Sequence, residues 1–151
     1  MTAATARIDE APAVIVVWDP DLGMALEMSL MGAGFGALLP DASIDLADLP
    51  LEAGAPLIIS GDMLPKDPRA LICAMRGRGW RGLGVVVTQN ASTWSGRFRA
   101  SDRFAVLEMP FMSHDLIQMI LQDRQANALT MAAEAQHPPF HCRPEPGAAC
   151  C

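Results

Sequence analysis

Residues 57–65 read Leu-Ile-Ile-Ser-Gly-Asp-Met-Leu-Pro. The run Leu57-Ile58-Ile59 is uniformly apolar and rich in β-branched residues. It is too short for a helix and does not alternate with polar residues. A strand of that kind is buried on both faces, as in a parallel sheet. Gly61-Asp62 and Pro65 then turn the chain out of the strand.

The same pattern recurs on either side. Ala13-Val14-Ile15-Val16-Val17 leads into Trp18-Asp19-Pro20-Asp21. Phe35 to Leu39 is closed by Pro40, and Leu83 to Val87 ends at Thr88. Phe104-Ala105-Val106-Leu107 ends at Glu108-Met109-Pro110-Phe111. Helical spacing fills the intervals. Leu22, Ala25, Leu26, Ser29 and Leu30 recur on one helix face, with Asp21 as the expected cap and Gly32 and Gly34 as terminators. Asp67-Pro68 opens a second helix through Leu71, Ile72 and Met75 to Gly77. Ser113 opens a last helix whose stripe is Leu116, Ile117, Ile120 and Leu121, and helical residues continue to about Gln136. Ile44, Leu46 and Leu49 suggest a turn or two of helix, limited by Pro50. Residues 89–103 read as a loop holding at most a short helix. Five strands alternating with helices define an α/β domain with a parallel sheet covered on both faces.

At 151 residues the chain has the length of one domain. Net charge is −6, unevenly spread. Residues 1–62 hold ten carboxylates and the single base Arg7, while residues 66–103 hold eight bases and two acids. An acidic chain without a recognition-helix motif argues against nucleic-acid binding. No apolar run has the roughly 20 residues of a membrane helix, and the start of the chain lacks a secretion pattern. A cytoplasmic protein is expected, with no membrane partner. The four cysteines form no framework and are expected as free thiols. His137, His141, Cys142, Cys150 and Cys151 lie in a proline-rich tail, residues 137–151, whose spacing matches no closed zinc pattern. No metal or cofactor is expected. His114 and Asp115 open the last helix and suggest no catalytic triad.

Over residues 12–125 the strand-end motifs resemble the receiver domain of bacterial response regulators. The resemblance implies a five-stranded flavodoxin-like sheet in the order 2-1-3-4-5, with residues 126–136 extending the last helix. It also implies a phosphoryl site of two acids after strand one, an aspartate ending strand three, a hydroxyl after strand four and a lysine after strand five. Here Trp18 and Asp19 match the acid pair, Gly61 the acceptor, Thr88 the hydroxyl and Met109 the lysine. Nucleophile, one metal acid and cation are absent together. The implied function is a degenerate receiver: a non-enzymatic, phosphorylation-independent signalling module that binds another protein, whether a regulator, a kinase or an output domain. A homodimer through the long last helix is a further arrangement. Two alternatives remain: a phospho-receiver using the displaced Asp62, and a small α/β enzyme with an unrelated, solvent-open polar site.

Further expectations follow from the resemblance. The Met109–Pro110 bond is expected to be cis. Trp18, Gly61 and Met109 are expected to form an apolar plug over the former site. Interaction surfaces are expected on the first helix and around strand five, where Trp94, Arg97, Phe98, Arg99 and Arg103 lie. Aromatic residues and arginine favour interface centres, although Trp94 and Phe98 equally suit the core of a short helix.

Overall fold

The computed structural model describes residues 11–41 and 43–136, with side chains through residue 127. Five parallel strands form one sheet in the order β2-β1-β3-β4-β5. They are β1 (Ala13–Val16), β2 (Ala37–Leu38), β3 (Leu57–Ser60), β4 (Gly84–Thr88) and β5 (Phe104–Glu108). The helices are α1 (Pro20–Gly32), α2 (Arg69–Gly77), α3 (Ala91–Trp94) and α4 (Ser113–Gln136). The flavodoxin-like order expected from the strand-end motifs is therefore present.

Each central strand sends alternate side chains to opposite faces. Ala13, Ile15, Ile58, Val85 and Val87 pack with Leu26 and Leu30 of α1 and with Leu116 and Ile120 of α4. Val14, Val16, Leu57, Ile59 and Val86 pack with Ile72 and Met75 of α2 and with Trp80 and Trp94. Burial on both faces is why these strands read as unbroken apolar runs. Full burial of each such side chain contributes about 1.5–3 kcal/mol.

Local chemistry places the ends. Asp19, not the expected Asp21, is the cap of α1. Its carboxylate accepts a hydrogen bond from the Asp21 amide at 3.0 Å, and Pro20 takes the first helical position, where its missing N–H costs nothing. Asp67 similarly accepts from the Arg69 amide at 3.1 Å. The second strand is shorter than expected, two residues rather than five. Phe35 serves instead as a buried core residue, so its hydrophobicity reflects packing rather than strand pairing. The Met109–Pro110 bond is cis, as expected. The expectation of free thiols fails at Cys73, which is disulfide-bonded. The tail, with its histidines and remaining cysteines, lies outside the described residues.

The amino ends of β3, β4 and β5 are laced by side chain–backbone bonds. The buried Trp80 indole donates to the Ala55 carbonyl at 2.7 Å. Arg76 donates to the carbonyls of Trp80 and Gly82 at 3.1 and 3.2 Å, and also to that of Asp102. Asp102 is 3 % exposed. It accepts both arms of the Arg69 guanidinium, each at 2.7 Å, and the Arg99 amide at 2.7 Å.

The Arg69 hydrogen bonds, helped by the Arg99 amide, hold the Asp102 carboxyl below its ordinary range. A depressed folded-state value stabilises the fold above the unfolded pKa, and that contribution fades as pH falls through the folded value. Acid unfolding should therefore steepen below about pH 4. The Asp102→Asn variant should be less stable at pH 7 and should lose less than the native chain between pH 5 and 3. Urea midpoints across that range test this. An equal loss in both proteins would show that Asp102 is not the group responsible.

Candidate functional site

Sites in open α/β sheets form beyond the carboxyl ends of the strands, where the strand order reverses. Here β1 and β3 are adjacent, and the connections leave them in opposite directions across the sheet. Beyond their ends lies a cavity of about 600 Å³. Its lining includes Trp18 and Asp19 after β1, Ser60, Gly61 and Asp62 at the end of β3, Thr88 and Asn90 after β4, Trp94 of α3, and Met109 after β5. The topology thus brings together the five residues that the resemblance matches to the phosphoryl site, with the displaced Asp62 beside them.

Their arrangement differs from the expected plug. Trp18 is 66 % exposed and lies at the cavity's edge rather than across it. Trp94 holds the space beside Gly61 instead. A Cβ built on Gly61 would lie 2.7 Å from the Trp94 indole nitrogen and 3.2 Å from its Cε2. That indole is well fixed. Trp94 is buried, its ring stacks on Phe98 at 6.2 Å, and Phe98 stacks on Phe104 at 4.9 Å. The Arg97 guanidinium lies 5.0 Å from the Trp94 ring centre. Stacking and cation–π contacts of this kind each add to simple burial. Trp94, rather than Trp18, is therefore the tryptophan beside Gly61.

The remaining groups have local tasks. The Thr88 hydroxyl accepts from the Asn90 amide at 3.1 Å, closing the turn after β4. Met109 packs against the α1–α4 side of the core. Asp62 is exposed in a 3-10 turn over Gly61–Met63. Among the described residues, no histidine, cysteine, lysine or arginine lines the cavity. Among the described residues, no three metal-ligating side chains cluster.

The expected interaction patch around β5 is not assembled as such. Trp94 is core, and Phe98 is half-buried between two aromatic rings. Arg103 pairs with Asp123 at 2.5 Å and donates to the Arg81 carbonyl. Arg97 donates to the Lys66 carbonyl. Arg99 is exposed, and its amide is bound by Asp102. The aromatics at positions 94, 98 and 104 form a stack that no loop-like sequence announces. A four-residue spacing between Trp94 and Phe98 was the available clue.

Sequence reading also missed an apolar trough of about 660 Å³ between α1 and the β5–α4 turn. It is lined by Leu22, Ala25, Leu26, Pro110 and Phe111, among others. Leu22, Gln89 and Met109 line the trough and the strand-end cavity alike, so the two adjoin. Helix α1 is apolar on its outer side as well. Met24, Met28 and Met31 are 56 %, 71 % and 60 % exposed. A surface helix normally turns a polar face to water.

No family model matches the sequence, and no curated protein matches it. Solved structures do. A response regulator receiver protein from Sinorhizobium medicae superposes with a TM-score of 0.58 at 19% identity, covering 75% of this chain and 94% of that one. NtrX from Brucella abortus, solved in complex with ADP, superposes with a TM-score of 0.66 at 18% identity. That match covers 83% of this chain but only 29% of NtrX. The chain therefore has the fold of response-regulator receiver proteins. Among the described residues, no helix is long and apolar enough to cross a membrane.

Proposed function

We propose that the chain is a pseudo-receiver, a protein-binding module of two-component signalling that works without phosphorylation or catalysis. The observation that carries this reading is the pairing of Gly61 with Trp94. The acceptor position has no carboxylate, and the indole nitrogen stands 2.7 Å from where a side chain would begin. A carboxylate nucleophile, a cation for the phosphoryl oxygens and a set of oxygen ligands for a hard metal ion belong to this chemistry. The cavity offers Asp19 and Asp62 as its carboxylates and Met109 where the cation belongs. An exposed methionine face on α1 supports the binding part of the proposal, since apolar surface left open to water marks interaction sites.

Incubation with acetyl phosphate and Mg²⁺, followed by intact-mass measurement, tests the proposal. No phosphoryl adduct is expected. One observation favours a second reading: Asp62 is exposed on an open cavity, not sealed under an apolar plug. An adduct that disappears in Asp62→Asn would establish Asp62 as a displaced acceptor and end the phosphorylation-independent reading.

A further inference from the structure

We propose that the strand-end cavity is a binding site for a small organic cation that also carries a hydrogen-bond acceptor, such as an amide oxygen. Two side chains on its inner wall carry the acceptor half of the argument. Trp94 is 7 % exposed and Ser60 is 5 % exposed, and both line the cavity. Among the described residues, neither the Trp94 indole N–H nor the Ser60 hydroxyl has a hydrogen-bond partner. Neither atom is sealed in protein, since no fully buried side-chain nitrogen or oxygen among the described residues lacks a partner. Both therefore open onto the cavity that they line. Buried polar side chains are otherwise paired, and an indole N–H can only donate. The Gly61 backbone lies against the indole nitrogen and brings no side chain to accept from it. What completes this wall is an acceptor brought in from outside. A ligand oxygen placed there makes the bond that a water would make, and displaces it.

The charged half comes from the rim. Asp19 and Asp62 are exposed, and they are the charged residues among those lining the cavity. Arg97 approaches the same tryptophan, but its guanidinium lies over the Trp94 ring and donates to the Lys66 carbonyl; it does not line the cavity. Two carboxylates beside a protein wall attract a cation more strongly than they would in open water, and they repel an anion. The Trp18 indole, 66 % exposed, adds a cation–π surface at the same rim. A guanidinium suits the rim because its planar fork pairs with a carboxylate through two hydrogen bonds. A volume of about 600 Å³ is that of a small-molecule site. The lining is mixed: Gln89, Asn90 and Thr93 stand beside Leu22, Val87 and Met109. Such a site goes beyond the protein-binding reading and does not depend on it.

Four small probes separate the two halves. γ-Guanidinobutyramide carries both the cation and the acceptor. γ-Ureidobutyramide replaces the guanidinium with a neutral isostere, butylguanidinium lacks the amide, and glutaramate is an anion. Nitrogen–proton correlation spectra of the full chain read binding, because its three tryptophans give three indole N–H signals, assigned with Trp18→Phe and Trp94→Phe. The Trp94 signal should shift saturably with γ-guanidinobutyramide, with a dissociation constant of about 1 mM or lower. The Trp80 signal should stay in place, since that indole already donates to the Ala55 carbonyl. The urea and butylguanidinium should each bind at least about fivefold more weakly, and glutaramate should leave the signal unmoved. Asp19→Asn/Asp62→Asn should erase the preference for guanidinium over urea, while asparagine keeps the cap of α1. Ser60→Ala, which leaves every tryptophan in place, should weaken the guanidinium amide about threefold. Asp48→Asn/Glu52→Gln removes the same charge outside the cavity and should leave binding unchanged. The proposal is overturned by the absence of a saturable Trp94 shift, by equal affinity for the guanidinium and urea probes, or by equal effects of the two charge pairs. The same shift from magnesium chloride at equal concentration would also overturn it, because the carboxylates would then be holding an inorganic ion.

Discussion

Restoring the three missing family groups together, Trp18→Asp, Gly61→Asp and Met109→Lys, is expected to leave acetyl-phosphate labelling near background. The reason is Trp94. An aspartate at position 61 would begin 2.7 Å from the indole nitrogen, and that indole is held by the Phe98–Phe104 stack and by Arg97. Forcing a side chain into packed space costs about 1–3 kcal/mol, so the triple variant should also unfold at lower urea. Adding Trp94→Leu gives the new carboxylate room and should raise labelling by roughly tenfold or more, which is about 1.4 kcal/mol in the barrier. Intact mass after a fixed incubation reads the outcome, with circular dichroism confirming that both variants are folded. Equal labelling of the triple and quadruple variants would show that Trp94 does not block the acceptor position.

The largest loss of stability is expected from a single methyl group, in Gly82→Ala. A Cβ on Gly82 would fall onto the Ala55 carbonyl oxygen and lie 2.7 Å from the Trp80 indole nitrogen. That carbonyl already accepts the Trp80 hydrogen bond. The methyl group must displace backbone that carries the start of β3 and leave a buried indole N–H without its acceptor. Overpacking and an orphaned buried donor together cost roughly 3 kcal/mol or more. The comparison is Gly77→Ala at the end of α2, where a Cβ meets nothing within 4 Å and should be neutral or slightly stabilising. Urea unfolding of both variants gives the answer. A loss below about 1 kcal/mol in Gly82→Ala would mean that the Ala55–Gly82 approach relaxes easily.

Strand positions were legible because doubly buried strands leave unbroken β-branched runs that end in turn residues, whereas the sheet order came from the resemblance of the strand ends to receiver domains. Val14 to Val16, Leu57 to Ile59 and Val85 to Val87 needed no tertiary information. The placing of Gly61 at the acceptor position rests on the resemblance, through the spacing to Pro65, and not on the strand pattern. Side-chain direction was not legible. Trp18 and Trp94 are both tryptophans beside a glycine-lined cavity, and only the tertiary path of the loop after β4 decides which one enters. Phe35 looked like strand because burial and strand pairing favour the same residue types. The trough between α1 and Pro110-Phe111 joins residues about 90 positions apart, and no local pattern encodes such a meeting.

The lacing around Trp80, Arg76 and Asp102 gives the sheet two unlike ends. At the amino ends of β3, β4 and β5, guanidinium and indole donors clamp successive carbonyls, and Asp102 joins α2 to the turn before β5. At the carboxyl ends, the ties across the cavity among the described residues are chiefly the Ala91 amide to Glu108 and the Met109 amide to the Thr88 carbonyl. Strain introduced at the carboxyl ends is therefore absorbed there, in short loops, before it reaches the clamped end. A domain so divided behaves like a vice with one fixed jaw: the loops at its carboxyl ends can change sequence while the anchored end keeps the strands in register.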